Sequence, residues 1–298
     1  MAATRTRAVG DEDARDAPLP RITLITPSYQ QATFLEATIR SVVDQRYPDL
    51  EYFVYDGGST DGSVDIIRAH AADIDYWRSA PDEGQAAAIN AGWERATGDI
   101  LGWLNSDDQL APGALLRVGR LFAAHPEFDT VYGRMDLIDQ AGRVLGTIGD
   151  PFSRRGMILS RNMVPQPAAF VRRSAVQRVG SLDPSLRYVM DLDLWLRLAD
   201  ERPPHAIPDT LARAVVHDAT KTFAGRDAMA AERLAVRLRY AQGPERIVVR
   251  LQPVASAIYH RLPSVARNGI DHFRPRRARA DRLEDEDELE RRRNLWTS

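Results

Sequence analysis

The sequence predicts an α/β protein built on a largely parallel β-sheet, and two observations support this class. Patterns typical of a strand and of a helix alternate four times before residue 105, with strand-like runs at 21–26, 51–56, 75–79 and 100–104. Such alternation is typical of βαβ units. Polar clusters also follow three of these runs, at 26–29, 56–61 and 105–108. Because ligands bind at the carboxyl ends of strands in such sheets, the clusters predict one shared site.

The elements between these strands are predicted to be helices from the spacing of apolar side chains. Leu35, Ile39 and Val42 recur at intervals of three and four residues, which is the period of a helix. Helices are also predicted over 63–70 and 85–96. Pro27 is expected to end the first strand, because proline lacks the N–H that a strand donates.

The second half of the chain predicts that the sheet becomes mixed. Residues 130–138 predict a strand, and 139–142 predict a hairpin turn into a strand over 143–148. A hairpin pairs antiparallel strands, so it would join the parallel part as an antiparallel addition. The remaining elements expected in chain order are a helix over 112–124, a strand over 168–172, a helix over 174–179, a helix from near Asp191, a strand over 211–216 and a helix over 228–240.

Composition excludes several classes of function. The chain has 298 residues, a formal net charge of −2 and no cysteine. There is thus no overall basic field for nucleic acid, and neither disulfides nor thiolate metal sites can form. No apolar run approaches the roughly 20 residues that span a bilayer. Residues 1–20 are charged and have no apolar core, so we expect a disordered tail rather than a signal peptide, and a cytoplasmic protein.

The central feature is the strand at 100–104, which ends in Asn105, Ser106, Asp107 and Asp108. Two adjacent acids repel each other unless a positive group lies beside them. A divalent metal that carries phosphate would be a suitable partner. The alternative is that one of the acids caps a helix starting near Pro112. Both interpretations remain open at this point.

A second polar cluster runs from Asp56 through Gly57, Gly58 and Ser59 to Gly62. Glycine lets the backbone approach a ligand closely, although an ordinary left-handed turn explains the same residues. The chain has neither the G-x-G-x-x-G run of dinucleotide-binding folds nor the G-x-x-x-x-G-K-[ST] run of P-loop proteins. These two nucleotide-binding folds are therefore excluded.

Two further places offer titratable side chains. Asp191 and Asp193 stand in the first turn of a predicted helix, where either one is a candidate base, or both simply favour the helix dipole. His217 follows the strand at 211–216 and is either an imidazole metal ligand or a surface histidine.

The last part of the chain differs in character from the rest. Apolar residues from Ile247 to Leu262 recur at helical spacing, interrupted by Pro253, with arginines among them. This pattern fits a basic amphipathic element on a membrane surface, or a helix that docks on the preceding domain. We expect three regions: a tail over 1–20, a catalytic domain over 21–222, and a helical extension with a charged tail over 223–298.

Four motifs, taken in order, resemble family 2 glycosyltransferases. They are Thr26-Pro27-Ser28-Tyr29, Asp56-Gly57-Gly58-Ser59-Thr60-Asp61-Gly62, Asn105-Ser106-Asp107-Asp108 and Met190-Asp191-Leu192-Asp193-Leu194-Trp195-Leu196-Arg197. The resemblance covers about residues 21–222. It implies the GT-A fold, a Rossmann-like mixed central sheet with helices on both faces, and an inverting enzyme that uses nucleotide-diphospho-sugars.

The resemblance also implies roles for single residues. Asp191 is the catalytic base and Asp107 the ligand of Mg²⁺ or Mn²⁺. Beside the resemblance, we place Gln166, on its proline-flanked loop, and Trp195 on the acceptor side, and His217 as a second metal ligand. The donor nucleotide-sugar would be bound by Thr26, Pro27, Ser28, Tyr29, Asp56, Gly58, Ser59, Asp82, Gln85, Asn105, Ser106 and Asp107.

The chain departs from the family pattern at two of these places. Asn105 stands where the family's D-x-D element has its first acid, and Gly57 where a second acid often follows Asp56. The Q-x-x-R-W element of processive synthases is absent, so transfer of one sugar per acceptor is expected.

The implied partners are a nucleotide-diphospho-sugar and a glycan or lipid-linked acceptor of cell-surface polysaccharide or glycoconjugate synthesis, with no nucleic acid. Peripheral contact at the inner face of the membrane is a further expectation. Two alternatives remain: a nucleotide-sugar-binding module without catalysis, and a metal-dependent nucleotide-sugar hydrolase.

Overall fold

The computed structural model describes residues 18–216 and 226–261, with the backbone alone at 226 and 254–261. The chain forms two compact units, one ending at Tyr240 and the other beginning at Ala241. The predicted division after residue 222 stays a prediction. The expected disordered tail falls almost wholly outside the described residues, as do His217 and the charged C-terminal tail.

Nine strands form one mixed sheet in the part of the chain that the structure describes. They are β1 (Ile22–Ser28), β2 (Leu50–Asp56), β3 (Tyr76–Ser79), β4 (Ile100–Trp103), β5 (Asp108–Leu110), β6 (Thr130–Ile138), β7 (Val144–Ile148), β8 (Ala169–Arg172) and β9 (His205–Val215). Their order is β3-β2-β1-β4-β8-β6-β9-β5, and β7 pairs with β6.

The helices of the described residues connect these strands and follow the last of them. They are α1 (Ala32–Val43), α2 (Ser63–Ala69), α3 (Gln85–Arg95), α4 (Ala114–Ala124), α5 (Arg154–Leu159), α6 (Arg173–Val179), α7 (Met190–Glu201), α8 (Arg226–Tyr240) and α9 (Pro244–Arg261). Short 3-10 turns occur at Ala71–Asp73 and Gln166–Ala168.

The parallel part of the sheet is the one that the sequence predicted. Strands β3, β2, β1 and β4 are neighbours and run in parallel. The register aligns Ser28 with Asp56 and Asp56 with Ser79, so the last residues of three strands form one row. All seven residues of β1 are buried, as expected for a strand covered on both faces. This row places the first two polar clusters at one edge.

The second half of the chain adds antiparallel strands to the sheet, as predicted. The hairpin of β6 and β7 is present, and β8 pairs antiparallel with both β4 and β6. The long strand β9 runs parallel to β6 and antiparallel to the short strand β5. The second half therefore continues the same sheet.

The first strand does not end at Pro27, contrary to the prediction. Strand β1 continues through Pro27 to Ser28, both paired with β2. The main chain of Ile25 faces β4, since its carbonyl accepts from Leu104, and the ladder with β4 ends there. Backbone polar groups alternate sides along a strand, so the missing N–H of Pro27 would point to this unpaired side. The proline therefore removes no ladder hydrogen bond.

Two proline-containing segments are also more regular than predicted. Strand β9 begins at His205 and contains Pro208, where its register with β6 shifts. Such an irregularity accommodates proline. Gly133 lies opposite, where a Cβ would come 2.5 Å from the carbonyl oxygen of Asp209, so no larger residue fits there. Helix α9 runs through Pro253 without interruption.

The second compact unit is described through α9. Ile247, Val248 and Leu251 of this helix are 63%, 47% and 56% exposed. None of the helices described has the length and apolar character needed to cross a membrane.

Candidate active site

Asp56, the last residue of β2, is buried and organises the loop that follows it. Its Oδ2 accepts hydrogen bonds from the backbone N–H groups of Gly58 and Ser59 at 3.1 and 2.8 Å, and from the Ser79 hydroxyl at 2.6 Å. Its Oδ1 accepts from the Ser59 hydroxyl at 2.5 Å. The carboxylate thus holds β2, its loop and the end of β3 together.

The loop takes a sharp turn at Gly58, whose φ of +86° favours glycine. A Cβ there would also lie 3.2 Å from the backbone nitrogen of Pro81. The left-handed turn that the sequence left open is therefore present.

A narrow slot lies next to Gly57, between an aromatic ring and a carboxylate. A Cβ at Gly57 would lie 3.2 Å from Cδ2 of Tyr29 and 3.4 Å from Oδ2 of Asp82. Tyr29 is 62% exposed, and Asp82 is exposed with its Oδ1 accepting from the N–H of Gly84. A flat group that enters this slot would meet a ring on one side and hydrogen-bond acceptors on the other.

The other residues of the first motif lie deeper. Thr26 is fully buried, with its hydroxyl 3.0 Å from that of Tyr52, and Pro27 is buried beside it. Ser28 is 5% exposed, and its Oγ has no hydrogen-bond partner among the described atoms. Of this motif, Tyr29 presents its side chain to solvent, whereas Thr26 and Pro27 build the floor beneath it.

The polar residues after β4 form a chain of hydrogen bonds. The Gln85 amide donates to Oδ1 of Asn105 at 2.5 Å, and the Asn105 amide donates to Oδ2 of Asp108 at 3.3 Å. Burial, and then the charge of Asp107, raises the pKa of the Asp108 carboxyl well above its usual range. Asn105 is thus used as a donor, which an aspartate at this position would not provide.

Neither acid after β4 caps the following helix. Asp108 opens the short strand β5, and α4 begins at Ala114 behind Gly113 as its N-cap. The capping alternative is therefore wrong. Ser106 is buried, while Asp107 keeps partial exposure.

The oxygen groups after β4 suit a divalent cation that binds together with a phosphate-containing ligand. The described residues contain no group of three or more His, Asp or Glu side chains placed to hold an ion. Mg²⁺ is nevertheless commonly bound by one or two carboxylates, with phosphate oxygens and water completing the shell. Asp107, partly exposed at the end of β4, can supply one such oxygen. The proposed ligand His217 lies outside the described residues.

Gln166 and Trp195 lie next to the end of β4, in different settings. The Gln166 amide donates to the carbonyl oxygen of Trp103 at 2.7 Å. Trp195 is fully buried, and its ring stacks on that of Trp103 with centroids 5.6 Å apart. A ring without exposed surface supports the strand beneath the site. Direct contact with an acceptor, predicted for Trp195, is not available in this structure.

Asp191 is the second residue of α7 and is partly exposed. Its Oδ2 accepts from the Asn162 amide at 2.7 Å. Burial raises the pKa of Asp191 to about 6, although backbone N–H groups at the helix start, Asn162 and the charge of Arg233 act in the opposite direction. A carboxylate with such a pKa is ionised at neutral pH and accepts a proton more readily than an ordinary aspartate.

One short loop, residues 162–166, contacts both Asp191 and the end of β4. Asn162 of this loop contacts Asp191, and Gln166 contacts the Trp103 carbonyl. Four residues of chain span at most about 14 Å. The stacking of Trp195 on Trp103 joins α7 to the same strand. This loop and the stacked rings thus connect the start of α7 with the end of β4.

The carboxylate of Asp193 is buried and paired with cations. Asp193 is 1% exposed, and its carboxylate binds Arg197 at 2.9 Å, Arg239 at 2.9 Å and the Tyr240 hydroxyl at 2.8 Å. Two residues along a helix correspond to a rotation of about 200°, so Asp191 and Asp193 face different sides. The carboxylate of Asp193 joins α7 to α8.

Two side chains near Asp191 had no signal in the sequence. Asn162 stands in a loop, and its partner is 29 residues away. Glu232 of α8 binds backbone N–H groups just before α7, at a separation of 43 to 45 residues. Nothing local in a loop or a charged helix indicates such partners.

Solved structures with a similar fold are glycosyltransferases. The mannosyltransferase PcManGT from Pyrobaculum calidifontis, in complex with GDP-Man and Mn²⁺, matches 92% of this chain and 88% of its own, with a TM-score of 0.60 at 18% identity. S. aureus TarS 1-349 in complex with UDP-GlcNAc matches 76% of this chain and 69% of its own, with a TM-score of 0.56 at 15% identity. The fold is therefore GT-A, as the sequence predicted.

The family follows from the sequence comparisons. The family model for glycosyl transferase family 2 matches residues 23–180, and the chain belongs to this family. It is 32% identical to an uncharacterised glycosyltransferase of Mycobacterium tuberculosis over 183 residues, which is 60% of this chain and 69% of that one. A glycosyltransferase of PGL/p-HBAD biosynthesis from Mycobacterium bovis BCG is 31% identical over 182 residues, again 60% and 69%.

One relative is much longer than the match. The O-antigen biosynthesis protein RfbC of Myxococcus xanthus is 31% identical over 201 residues, which cover 66% of this chain but 16% of RfbC. Similarly, this chain spans 41% of a longer TarS chain. These matches support glycosyltransferase activity and leave the substrates to be argued from the site.

Proposed function

We propose that the protein is an inverting glycosyltransferase that moves one sugar from a nucleoside diphosphate sugar to an acceptor hydroxyl, with Asp191 as the base. The observation that carries the proposal is Asp191 at the start of α7, which is held by the Asn162 amide and has a pKa of about 6 that suits proton abstraction near neutral pH. The solved structures with this fold include complexes with UDP-GlcNAc and with GDP-Man, which supports a donor of this chemical class.

In the proposed reaction the acceptor oxygen attacks the anomeric carbon while Asp191 takes the hydroxyl proton. The bond from the anomeric carbon to the diphosphate oxygen breaks, and the diphosphate leaves with the bonding electrons. A base on the face opposite the leaving group gives inversion of configuration. Mg²⁺ or Mn²⁺, when bound, neutralises charge on the diphosphate. Asp107 is the proposed ligand, and Asn162 holds the carboxylate of Asp191 by one hydrogen bond.

The donor nucleotide is proposed to bind along the row formed by Ser28, Asp56 and Ser79. The slot between Tyr29 and Asp82 fits a base, and the free Oγ of Ser28 adds a polar group below it. Asp56 acts by holding the loop over Gly58 and Ser59 in place. Gln85, Asn105 and Ser106 are proposed to line the side toward the diphosphate.

Nucleotide binding supplies the experiment that tests this site. In a thermal-shift panel of UDP, GDP, ADP and CDP with Mn²⁺, at least one diphosphate should raise the melting temperature. Asp56→Ala should weaken that ligand's binding about 10-fold or more, because the loop over Gly58 and Ser59 loses the carboxylate that holds it, and each hydrogen bond to a charged group is worth about 1.5–3 kcal/mol. Isothermal calorimetry measures the affinity.

Asp61→Asn is the matched control for this test. Asp61 binds the N–H of Ala32 and both the N–H and hydroxyl of Ser63, in the same loop but at the starts of two helices. Its replacement should lower stability while leaving nucleotide affinity of the folded protein unchanged. Equal affinity in wild type and Asp56→Ala, or no response to any diphosphate, would contradict the proposed donor site.

The acceptor is proposed to be a glycan or lipid-linked intermediate of cell-surface polysaccharide or glycoconjugate synthesis, reached from the cytoplasmic side of the membrane. Two relatives are named for O-antigen and for PGL/p-HBAD biosynthesis, which supports this class. Gln166 faces the end of β4 and is proposed to contact the acceptor. Helix α9 exposes Ile247, Val248 and Leu251 beside Arg246 and Arg250, a combination that suits an anionic lipid surface.

Vesicle binding tests the role of α9. The full chain should co-sediment with phosphatidylcholine vesicles that contain phosphatidylglycerol, and raised salt should reduce binding because the arginine contribution is screened. The double variant Ile247→Ser, Leu251→Ser should bind less, whereas Val144→Ser, which removes an apolar side chain 58% exposed in the other compact unit, should bind normally. Equal binding by all three proteins would rule out this surface.

A further inference from the structure

Helix α8 carries a carboxylate that binds the backbone just before the helix of Asp191. Glu232 accepts hydrogen bonds from the N–H groups of Arg187, Tyr188 and Val189 at 2.8, 2.6 and 3.0 Å. Val189 is the N-cap of α7, and a valine has no side-chain oxygen with which to cap a helix. Glu232 satisfies these donors from another element and so fixes where α7 begins.

Helix α8 makes further contacts to the loop and the helix that adjoin Asp191. Arg237 donates to the carbonyl oxygen of Ser160, two residues before Asn162, which in turn donates to Asp191. Arg239 and Tyr240 bind Asp193, which lies two residues after Asp191 in α7. One helix therefore contacts the segment before Asp191, the helix that carries it and the loop that holds its side chain.

This helix lies beyond the region that defines the family. The family model ends at residue 180, and α8 begins at Arg226. The contacts of α8 nevertheless join it to the unit that contains the sheet. Its side chains are thus features of this chain that the family match does not assign.

We propose that Glu232 is a positioning residue for Asp191. By binding three N–H groups ahead of α7, it fixes the position of the first turn of this helix and the direction of the Asp191 side chain. The proposal rests on the proposed function of Asp191. Without the Glu232 carboxylate, the backbone N–H groups of residues 187–189 would have to bind water instead. The first turn of α7 would then move toward solvent.

The effect on Asp191 has a definite sign. Arg233 of α8 is the charged side chain that lowers the pKa of Asp191, while Glu232 of α8 binds the backbone two to four residues before it and Asp193 lies on the other side of its own helix. Removing Glu232 takes away a nearby negative charge and lets water reach Asp191. Both changes favour the ionised carboxylate, so they lower the pKa of Asp191.

Melting temperature against pH measures this effect without a substrate. In the wild-type background, the difference between the parent and Asp191→Asn reports the titration of Asp191, because other groups cancel. The same difference is then measured in Glu232→Ala and in the milder Glu232→Gln, which keeps one acceptor oxygen. We expect the midpoint of the difference curve to move to lower pH by about half a unit or more in Glu232→Ala, and by less in Glu232→Gln.

Glu201→Ala is the control, since Glu201 ends the same helix and binds Arg178 at 2.8 Å, far along α7 from Asp191. It should lower the melting temperature without moving the midpoint. A midpoint that stays fixed in both Glu232 variants, as in the control, overturns the proposal. If Glu232→Ala does not fold, the result from Glu232→Gln decides.

Turnover separates this proposal from the one on which it rests. Release of nucleoside diphosphate from UDP-GlcNAc and GDP-mannose is followed in the presence of Mn²⁺ and membrane extract. Normal turnover in Asp191→Asn refutes the base assignment, whatever the Glu232 variants do. If Asp191→Asn is inactive and the Glu232 variants keep the wild-type midpoint, the positioning role alone is wrong.

Discussion

Replacing Asp191 with asparagine should lower turnover by about 100-fold or more while leaving nucleotide affinity unchanged. Asparagine keeps the size of the side chain and can still accept the hydrogen bond from Asn162, but it cannot take a proton. Loss of a general base costs 10²–10⁴-fold in typical enzymes. The measurement compares release of nucleoside diphosphate with the affinity for the same nucleotide, so that binding and chemistry are separated.

The same variant should be more stable than the wild type at neutral pH. The pKa of Asp191 is about 6 in the folded protein, above its value of about 4 in an unfolded chain. The folded state therefore binds the proton more tightly, and stability falls as pH rises from about 4 through about 6 and is constant above. A difference of two pKa units corresponds to about 2.7 kcal/mol, and solvent screening at the partly exposed Asp191 reduces it. Removing this group should therefore increase the free energy of unfolding at pH 7 by about 1–2 kcal/mol, with no gain below pH 4.

Asp193→Asn should behave in the opposite way. Its carboxylate is buried and pairs with Arg197 and Arg239, so neutralising it leaves two cations poorly compensated and lowers the melting temperature. Turnover of the folded fraction should remain. If Asp193→Asn were the inactive variant and Asp191→Asn turned over normally, the two roles would have to be exchanged. Loss of stability without loss of turnover per folded molecule supports the assignment given.

The parts of the fold that the sequence predicted are those specified by local patterns. Strands β1, β2 and β4 each contain an apolar run of strand length, and α1 between the first two shows apolar spacing of three and four. The hairpin at 139–142 is likewise encoded within a few residues. Since alternating strands and helices leave few topologies, the parallel order and the shared edge of the polar clusters followed.

The elements that were missed depend on distant partners. Strand β5 has three residues, and it exists because Asp108 to Leu110 pair with β9 about a hundred residues later. The first half of β9 contains Pro208, which reads as a strand breaker until the irregular pairing with β6 is known. No local pattern carries this information.

The site shows the same division between local and distant information. Motifs in the chain marked Asp56, Asp107 and Asp191, but not what surrounds them. Whether a carboxylate serves structure or chemistry depends on its partners. Asp193 binds two arginines and a tyrosine, whereas Asp191 receives one amide, and this contrast appears once α8 is in place. The burial of Trp195 is a packing result of the same kind.

Asp107→Ala should abolish the Mn²⁺-dependent part of the stabilisation by nucleoside diphosphate. Asp107 keeps partial exposure at the end of β4, where an ion bridging it to phosphate oxygens has room. At a ligand concentration of 100 times the dissociation constant, binding stabilises a protein by about 2.7 kcal/mol, and the metal-dependent share of this should disappear. Melting temperatures with and without Mn²⁺, and with EDTA, measure it.

Asp108→Asn is the matched control, because the carboxyl of Asp108 is next to that of Asp107 in the chain but lies in a different environment. Asp108 is 6% exposed, receives the Asn105 amide, and has a pKa raised by burial and by the charge of Asp107. Asp108 is thus less accessible to an ion than Asp107, and asparagine matches its shape and can still accept from Asn105. The Mn²⁺ dependence should therefore survive in Asp108→Asn and be absent in Asp107→Ala. The reverse pattern would place the metal on Asp108, and an unchanged dependence in both variants would remove the metal from this end of β4.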